Sequence, residues 1–439
     1  MAPTGRKATP AALQTCAACA LALAAAVIHA QSLQEASFPD ESRPAAQNAF
    51  HSERPAMSVG KAQTRFDEAT RQHGAGAFEL VDPLLDLATA EARAGDFSEA
   101  ADHFAGAVRL VETLRGAMHD RLLEPLRGLG LSANAAGDFS QAAEALERAL
   151  HIMRIHHGLH YLGQTELLHA LARSYVGLGQ SADAEFKKRT ALTLAEREYG
   201  AESLRLLPAV SALAEWYHEQ HRYFEERTLL ERKIDLLETE YGKNDPRLIE
   251  PLRTLALSYR LEYNPLPEGL KALKRALDIH ELHAGDKAAH AATLVDLGDW
   301  YLVFRERMRA MQTYARAYDL LSGDAAMADR LEALFGSPVP LFYVRPRPPE
   351  IDPDAPEEEL GRGFVLVEYD VSSIGRAVDI ELLDSDPPGV MDHRFKLSLR
   401  GARFRPRIVD GKPVHTKGLR MRSTFAFRRP EAAASPQDP

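Results

Sequence analysis

The residues best equipped for chemistry are four closely spaced histidines, His151, His156, His157 and His160. Imidazoles converging on one point would make a metal site. The spacing works against it, because Gly158 interrupts any shared helical face and the group falls between two repeats of the chain. A solvated connector is the expectation, with no metal. Trp216 and Trp300 could stack a ligand, but they lie two steps of the same repeat apart and read as packing residues. No glycine-rich phosphate loop, nucleophile elbow or paired His-Glu metal motif is present. The many carboxylates fall on helical stretches, where solvated faces and ion pairs are their usual role. These residue types point to binding, with no enzyme activity, no catalytic residue and no cofactor.

The elements that must position any binding surface follow a 42-residue period. Leu87, Leu129, Leu171, Leu213, Leu255 and Leu297 keep this step without a slip, and each precedes a small residue (Ala88, Gly130, Ala172, Ala214, Ala256, Gly298). Tyr175, Tyr217, Tyr259 and Tyr301 share the step. Leu, a small residue, then an aromatic four positions after the Leu places a bulky–small–bulky stripe on a first helix. Turns follow at Gly95-Asp96-Phe97, Gly137-Asp138-Phe139 and Gly179-Gln180. A second helix then carries Ala100 and Ala107, Ala142 and Ala149, or Ala184 and Ala191. Gly74, Gly116, Gly158, Gly200 and Gly242, with Gly285 after a one-residue insertion, stand where second helices should stop, in the left-handed conformation that glycine adopts cheaply. Pro83, Pro125 and Pro251 sit near first-helix starts, where the missing N–H costs least. Such hairpins bury their apolar stripes only by stacking on neighbours.

These residues resemble tetratricopeptide repeats of the 42-residue kinesin-light-chain type over about 76–320, with residues 58–73 as a lone second helix capping the stack. The resemblance implies an all-α tetratricopeptide (TPR) solenoid of about six helical hairpins that binds a protein or peptide. The fourth repeat departs from the pattern. Its second helix places Glu226 and Lys233 where others have alanine, and its turn reads His221-Arg222-Tyr223. Large charged groups at close-packed positions should open the stack or face water, making a loosened repeat or a binding notch. The fifth repeat has a rebuilt turn at Asn264-Pro265-Leu266-Pro267.

A different domain follows. Residues 336–360 are proline-dense and read as an extended linker. Then Val365, Val367, Tyr369 and Val371 alternate with polar or outward residues, and Val378, Ile380 and Leu382 do so again after Ser372-Ser373-Ile374-Gly375. A helix is expected from about Val390 to Gly401. Met421, Ser423, Phe425 and Phe427 share one face of a last strand, opposite Arg420, Arg422 and Thr424. The pattern predicts a small α+β domain over 361–430 with a three-stranded antiparallel sheet and one helix.

This stretch resembles the C-terminal domain of TonB-type energy transducers through Gly363 to Val371, Arg403-Phe404-Arg405-Pro406, Asp410-Gly411-Lys412-Pro413-Val414 and Phe425-Ala426-Phe427. The resemblance implies docking of an extended strand on an exposed sheet edge. The matching edge would run from Leu419 through Arg420, Met421, Arg422, Ser423, Thr424 and Phe425 to Phe427, and an outer-membrane transporter or other envelope protein would be the partner. Phe395 and Leu399 stand where that family places alanine.

Arg6 and Lys7 precede an apolar run from Ala17 to Ile28 that ends at Ala30, reading as a cleaved export signal over 1–30. Both cysteines, Cys16 and Cys19, lie within it, so the mature chain has no disulfide to rely on. Residues 31–57 and 431–439 read as a disordered linker and tail. The expected location is the periplasm, with no transmembrane span in the mature chain. The alternative retains residues 11–30 as an inner-membrane anchor and makes the chain an energy transducer. An enzyme with a site along the repeat groove has no motif behind it.

The whole chain, 439 residues with 45% hydrophobic and 26% charged residues, has the composition of folded protein. Its net charge of −10 argues against nucleic acid as a partner. The charge is uneven: residues 361–430 hold fourteen Lys and Arg against eight Asp and Glu, so the remainder is strongly acidic.

Overall fold

The structure, a computed structural model, describes residues 54, 56–283, 285–351 and 359–429. The expected signal segment 1–30, nearly all of the expected linker 31–57 and the tail 431–439 lie outside them. The described chain forms fifteen α-helices and seven strands. It divides into two compact units, one ending at Glu215 and the other beginning at Trp216.

The first unit opens with α1 (Val59–His73). Three hairpins follow: α2 (Val81–Ala94) with α3 (Phe97–Arg115), α4 (Leu123–Ala136) with α5 (Phe139–His157), and α6 (Thr165–Gly177) with α7 (Ser181–Tyr199). Helix α8 (Leu207–Glu219) spans the boundary between the units. The periodic residues do the packing expected of them. Leu87, Leu171 and all six periodic alanines from Ala100 to Ala191 are 0% exposed. Small side chains there let the helix backbones approach. A Cβ on Gly130 would lie 2.4 Å from Leu146 Cγ, so α4 and α5 meet at a distance that no larger residue allows. Helix α1 covers the start of the stack by setting Ala62 and Phe66 against Leu87 and Ala90.

The two glycine series differ in a way that spacing alone did not reveal. Gly95 and Gly137, in the turns within hairpins, are left-handed, with φ 92°, ψ 10° and φ 86°, ψ 4°. The glycines ending the second helices are not left-handed as expected: Gly116 and Gly158 have φ 92° and 90°, both with ψ 164°. That region is almost closed to side chains, whereas the left-handed one tolerates them at moderate cost. The within-hairpin position accordingly keeps positive φ when glycine is lost, at His221 (55°), Tyr263 (54°) and Arg305 (69°). The helix-end glycine persists through Gly242.

The second unit continues with α9 (Tyr223–Tyr241), α10 (Ile249–Leu261), α11 (Pro267–Leu282), α12 (Lys287–Val303), α13 (Arg307–Ser322) and the short α14 (Ala328–Phe335). Gly298 takes the place of Gly130 here, with Tyr314 Cε1 at 2.3 Å from an added Cβ. The strands are β1 (Val339–Phe342), β2 (Leu360–Val371), β3 (Ala377–Asp386), β4 (Arg403–Arg405), β5 (Ile408–Val409), β6 (Lys412–Pro413) and β7 (Thr416–Arg428), with α15 (Asp392–Gly401) before β4. The main sheet has the order β3-β2-β7 and is antiparallel throughout. Val365, Val367, Tyr369 and Val371 pack with Phe395 and Leu399 of α15 in one core. The two bulky helix residues fill this core.

The proline-dense stretch is not an open spacer along its whole length. Val339–Phe342 pairs antiparallel with Arg403–Arg405, and Pro340 is accommodated because β1 is an edge strand. Strand β4 is also tied to the last repeats. Arg405 Nη1 donates to the Leu334 carbonyl at 3.0 Å, and its Nε ion-pairs with Asp299 Oδ1 at 3.3 Å. Asp299, 2% exposed on α12, also receives Arg260 Nη1 at 3.0 Å and the Tyr314 hydroxyl at 2.8 Å. The C-terminal sheet region is therefore anchored to the repeats of its own unit by a buried cluster of charges.

Candidate partner-binding surfaces

Strand β7 is an edge. It pairs with β2 on one side, and no described strand pairs with the other. The register decides which groups are free. Arg429 N donates to the Glu359 carbonyl at 2.8 Å, in line with the pairing that sets Phe364 opposite Thr424. In an antiparallel ladder every second residue points its N–H and C=O at the partner strand. Leu419, Met421, Ser423, Phe425 and Phe427 are thus committed to β2, while Arg420, Arg422, Thr424 and Ala426 direct theirs outward. The outward Thr424 carbonyl accepts Arg345 Nη2 at 3.0 Å. Of the edge expected from sequence, every second residue presents main chain to a partner.

The side chains alternate as well. Leu419, Met421, Ser423 and Phe425 lean toward the core, and Arg420, Arg422 and Thr424 are exposed. Arg420 Nε pairs with Glu368 Oε2 at 2.9 Å, and the Arg422 guanidinium lies 4.2 Å from the Phe364 ring centroid. Beside the edge, a cavity of about 260 Å³ opens between Pro346, Pro348, Met391, Phe395 and Phe425. Arg347 and Arg394 are nearby in the fold, Arg394 Nη1 donating to the Arg347 carbonyl at 3.2 Å. Apolar side chains line most of the cavity, joined by Ser423, Thr424 and Arg345.

The fourth repeat resolves differently from the expectation. Glu226 neither opens the stack nor faces water; it is 1% exposed, and its Oε1 lies 3.0 Å from His218 Nδ1. Glu226 Oε2 has no hydrogen-bond partner. The neighbouring Arg227 pairs with Glu262 at 2.8 Å and stacks on Tyr259. Burial, with the Glu226 and Glu262 charges, pushes the Tyr223 hydroxyl up to about 12. Lys233 Nζ reaches Glu250 Oε2 at 2.9 Å. Glu226 is met by an imidazole and Lys233 by a carboxylate, a compensation that repeat spacing could not show. Among the described residues no hydrogen bond or ion pair joins Glu226 or Lys233 to the β7 edge.

His151, His156, His157 and His160 are exposed around the end of α5. His156 Nε2 meets the Met118 carbonyl at 2.8 Å and His157 stacks on Tyr161, so each has a separate local partner. Among the described residues, Asp370, Asp379 and His415 are the group that could hold a cation, with ligand atoms within 4.8 Å of one another. Asp370 is already engaged. His415 Nε2 at 2.7 Å and the Gly418 N–H at 3.0 Å hold its carboxyl below the usual carboxylate range.

A further site lies on the first helices of the repeats. Arg54 sets its guanidinium among Asp86 Oδ1 (2.7 Å), Asp82 Oδ1 (3.1 Å), Glu124 Oε1 (2.5 Å) and Glu124 Oε2 (2.9 Å). Arg93 Nη2 donates to the Arg54 carbonyl at 2.9 Å. Arg65 also pairs with Asp86, and Arg121 Nη2 with Asp82 at 2.9 Å. Burial alone would lower the guanidinium pKa, but the bonds to Glu124, Asp86 and Asp82 outweigh it and hold it above its ordinary value. Burial likewise opposes the Asp82 charge, and Arg54 with Arg121 prevails, keeping that carboxyl below the usual range. The signal available in sequence was the repeat register, which aligns Asp82, Glu124 and Glu166. What Arg54 does could not be read from it.

No helix among the described residues is long and apolar enough to cross a membrane. No curated protein matches the chain. Among solved structures, the nearly identical TPR-like repeats of a Podosopora anserina kinesin light chain align at 18% identity over 47% of this chain and 97% of that one, with a TM-score of 0.39. BtubC (BKLC) from P. vanneervenii aligns at 19% identity over 68% and 97%, TM-score 0.31. YrrB, a TPR protein with an unusual peptide-binding site, aligns at 17% identity over 50% and 94%, TM-score 0.32. Residues 80–155, which span the hairpins α2/α3 and α4/α5 almost completely, match the family model of the tetratricopeptide repeat, and the chain carries repeats of that type.

Proposed function

We propose that this chain is a non-enzymatic, exported interaction protein. Its TPR array binds a peptide or protein partner, and its C-terminal module, similar to that of TonB-type transducers, docks an extended strand from an envelope protein. The observation that carries the docking reading is the outward ladder of Arg420, Arg422, Thr424 and Ala426 on an edge with which no described strand pairs. A strand laid there gains main-chain hydrogen bonds of about 1 kcal/mol each, and the exposed Arg420 and Arg422 favour an acidic segment. Export rests on the run from Arg6 to Ala30. It predicts a mature protein starting at Gln31, which mass spectrometry of the native N-terminus reads directly.

Proline at Thr424 tests the docking. It removes an N–H that β2 does not use, so the fold should survive, while an added strand loses a donor and meets the ring. With a photo-crosslinking residue at Arg422, T424P should abolish adducts that the otherwise identical chain forms in the envelope. Unchanged adducts would refute edge docking.

A further inference from the structure

Ion pairs join some of the first helices, from a register position that holds Arg127 and Arg253 but Leu85, His169 and Ser211 in other repeats. Arg127 of α4 pairs with Glu166 of α6, the next first helix. Far along the sequence, Arg253, in the same register as Arg127, holds Asp296 at 2.6 Å. One repeat before Arg127 the register position is Leu85, an apolar residue 1% exposed that cannot pair with Glu124. Glu124 is therefore left without the arginine that its counterpart Glu166 receives from the array. Asp82 and Asp86, one helical turn apart on α2, add two more carboxylates beside it. The Asp86 side chain is 5% exposed.

Into this acidic notch the chain sets Arg54, a residue from before the first helix of the stack. The side chain is engaged through all three of its nitrogens, and the main-chain carbonyl is gripped by Arg93. A forked guanidinium on paired carboxylates together with a clamped backbone carbonyl is how an extended peptide would be held. We propose that Asp82, Asp86, Glu124 and Arg93 form an arginine-specific peptide site on the repeat array, and that Arg54 is its tethered occupant, which an arginine-bearing segment of a partner displaces. This deepens the peptide-binding reading of the array and rests on it. The partner it selects is an extended peptide with one arginine at its centre.

A tethered occupant competes at an effective concentration in the millimolar range, so a site of intrinsic Kd near 0.1 mM would be filled about ten to one. The probe is a labelled synthetic peptide of residues 49–59, titrated by fluorescence anisotropy against the full chain. The R54A chain should bind it about tenfold more tightly than wild type. Replacing the peptide arginine by alanine, or Asp86→Asn in the R54A chain, should weaken binding at least tenfold. R54K guards against misfolding of R54A, because its ammonium keeps a charge in the notch without bridging the three carboxylates, and its affinity should fall between the other two. Equal binding by R54A and wild-type chains, equal binding of arginine and alanine peptides, or no binding by a folded R54A or R54K chain each overturns the site. If the array captures a partner through crosslinkers elsewhere on its first helices while this peptide fails, the arginine site falls and the broader reading stands.

Discussion

The anchoring of the C-terminal sheet to the repeats can be measured through Arg405. Its side chain is 11% exposed and that of Asp299 is 3% exposed, with the ion pair at 3.3 Å. At an effective dielectric constant of about 20, such a pair attracts by about 5 kcal/mol, and the cost of removing both charges from water offsets much of that. In R405A, Asp299 keeps Arg260 and Tyr314, so no bare buried carboxylate remains. The loss is the net attraction plus the bond to the Leu334 carbonyl, about 2–4 kcal/mol in sum. For a unit of this size the melting temperature should fall on the order of 10 °C. D299N retains an acceptor for Tyr314 and isolates the charge. Urea unfolding of wild type, R405A, D299N and the double variant should yield a coupling of about 1.5–3 kcal/mol. Hydrogen exchange should show β4 amides losing protection first in R405A. Additive single effects, with coupling below about 0.5 kcal/mol and β4 still protected, would refute the claim that this pair seats the sheet.

Other expectations follow from the same geometry. Gly158→Ala should cost about 1–3 kcal/mol in thermal unfolding, because φ 90° with ψ 164° is nearly closed to side chains. Gly137→Asn should cost much less, as positive φ at His221, Tyr263 and Arg305 already indicates; equal costs would contradict the distinction between the two turns. Burial, helped by Lys188, lowers the His169 imidazole to about 4. Between pH 6.5 and about 4 the unfolded chain therefore binds a proton that the folded chain refuses. Stability contributed by neutral His169 is complete above pH 6.5 and declines by about 2–3 kcal/mol as pH falls to about 4. H169Q should flatten that slope in denaturant titrations, and an unaltered slope would exclude His169 as its source.

How much was legible depended on the range over which each residue acts. The repeat could be read because Leu87 and its counterparts, the small residue after each, and the second-helix alanines all report contacts within a hairpin or between neighbours. Those contacts recur at one spacing, so sequence periodicity and packing periodicity coincide. The β7 edge was legible as a strand because its burial alternates with period two. Which of its residues offer main chain to a partner was not, since that depends on the pairing of Phe364 with Thr424 across the ladder. Glu226 misled because its compensation comes from His218 on the preceding helix, and nothing in the small-residue pattern announces a histidine as its partner.

The amino-acid sequence by itself determined the helical hairpins, their repeat length, the change to a small sheet near the C-terminus and the uneven charge. These are set by local propensity and by patterns that neighbouring side chains satisfy. Only the tertiary structure decided that Arg54 fills the place Leu85 leaves open, that Asp299 gathers Arg260, Tyr314 and Arg405, and that part of the proline-dense stretch is a paired strand. Those pairings join residues far apart in the chain, where spacing carries no information. Buried charges choose partners by what folding brings within hydrogen-bond reach.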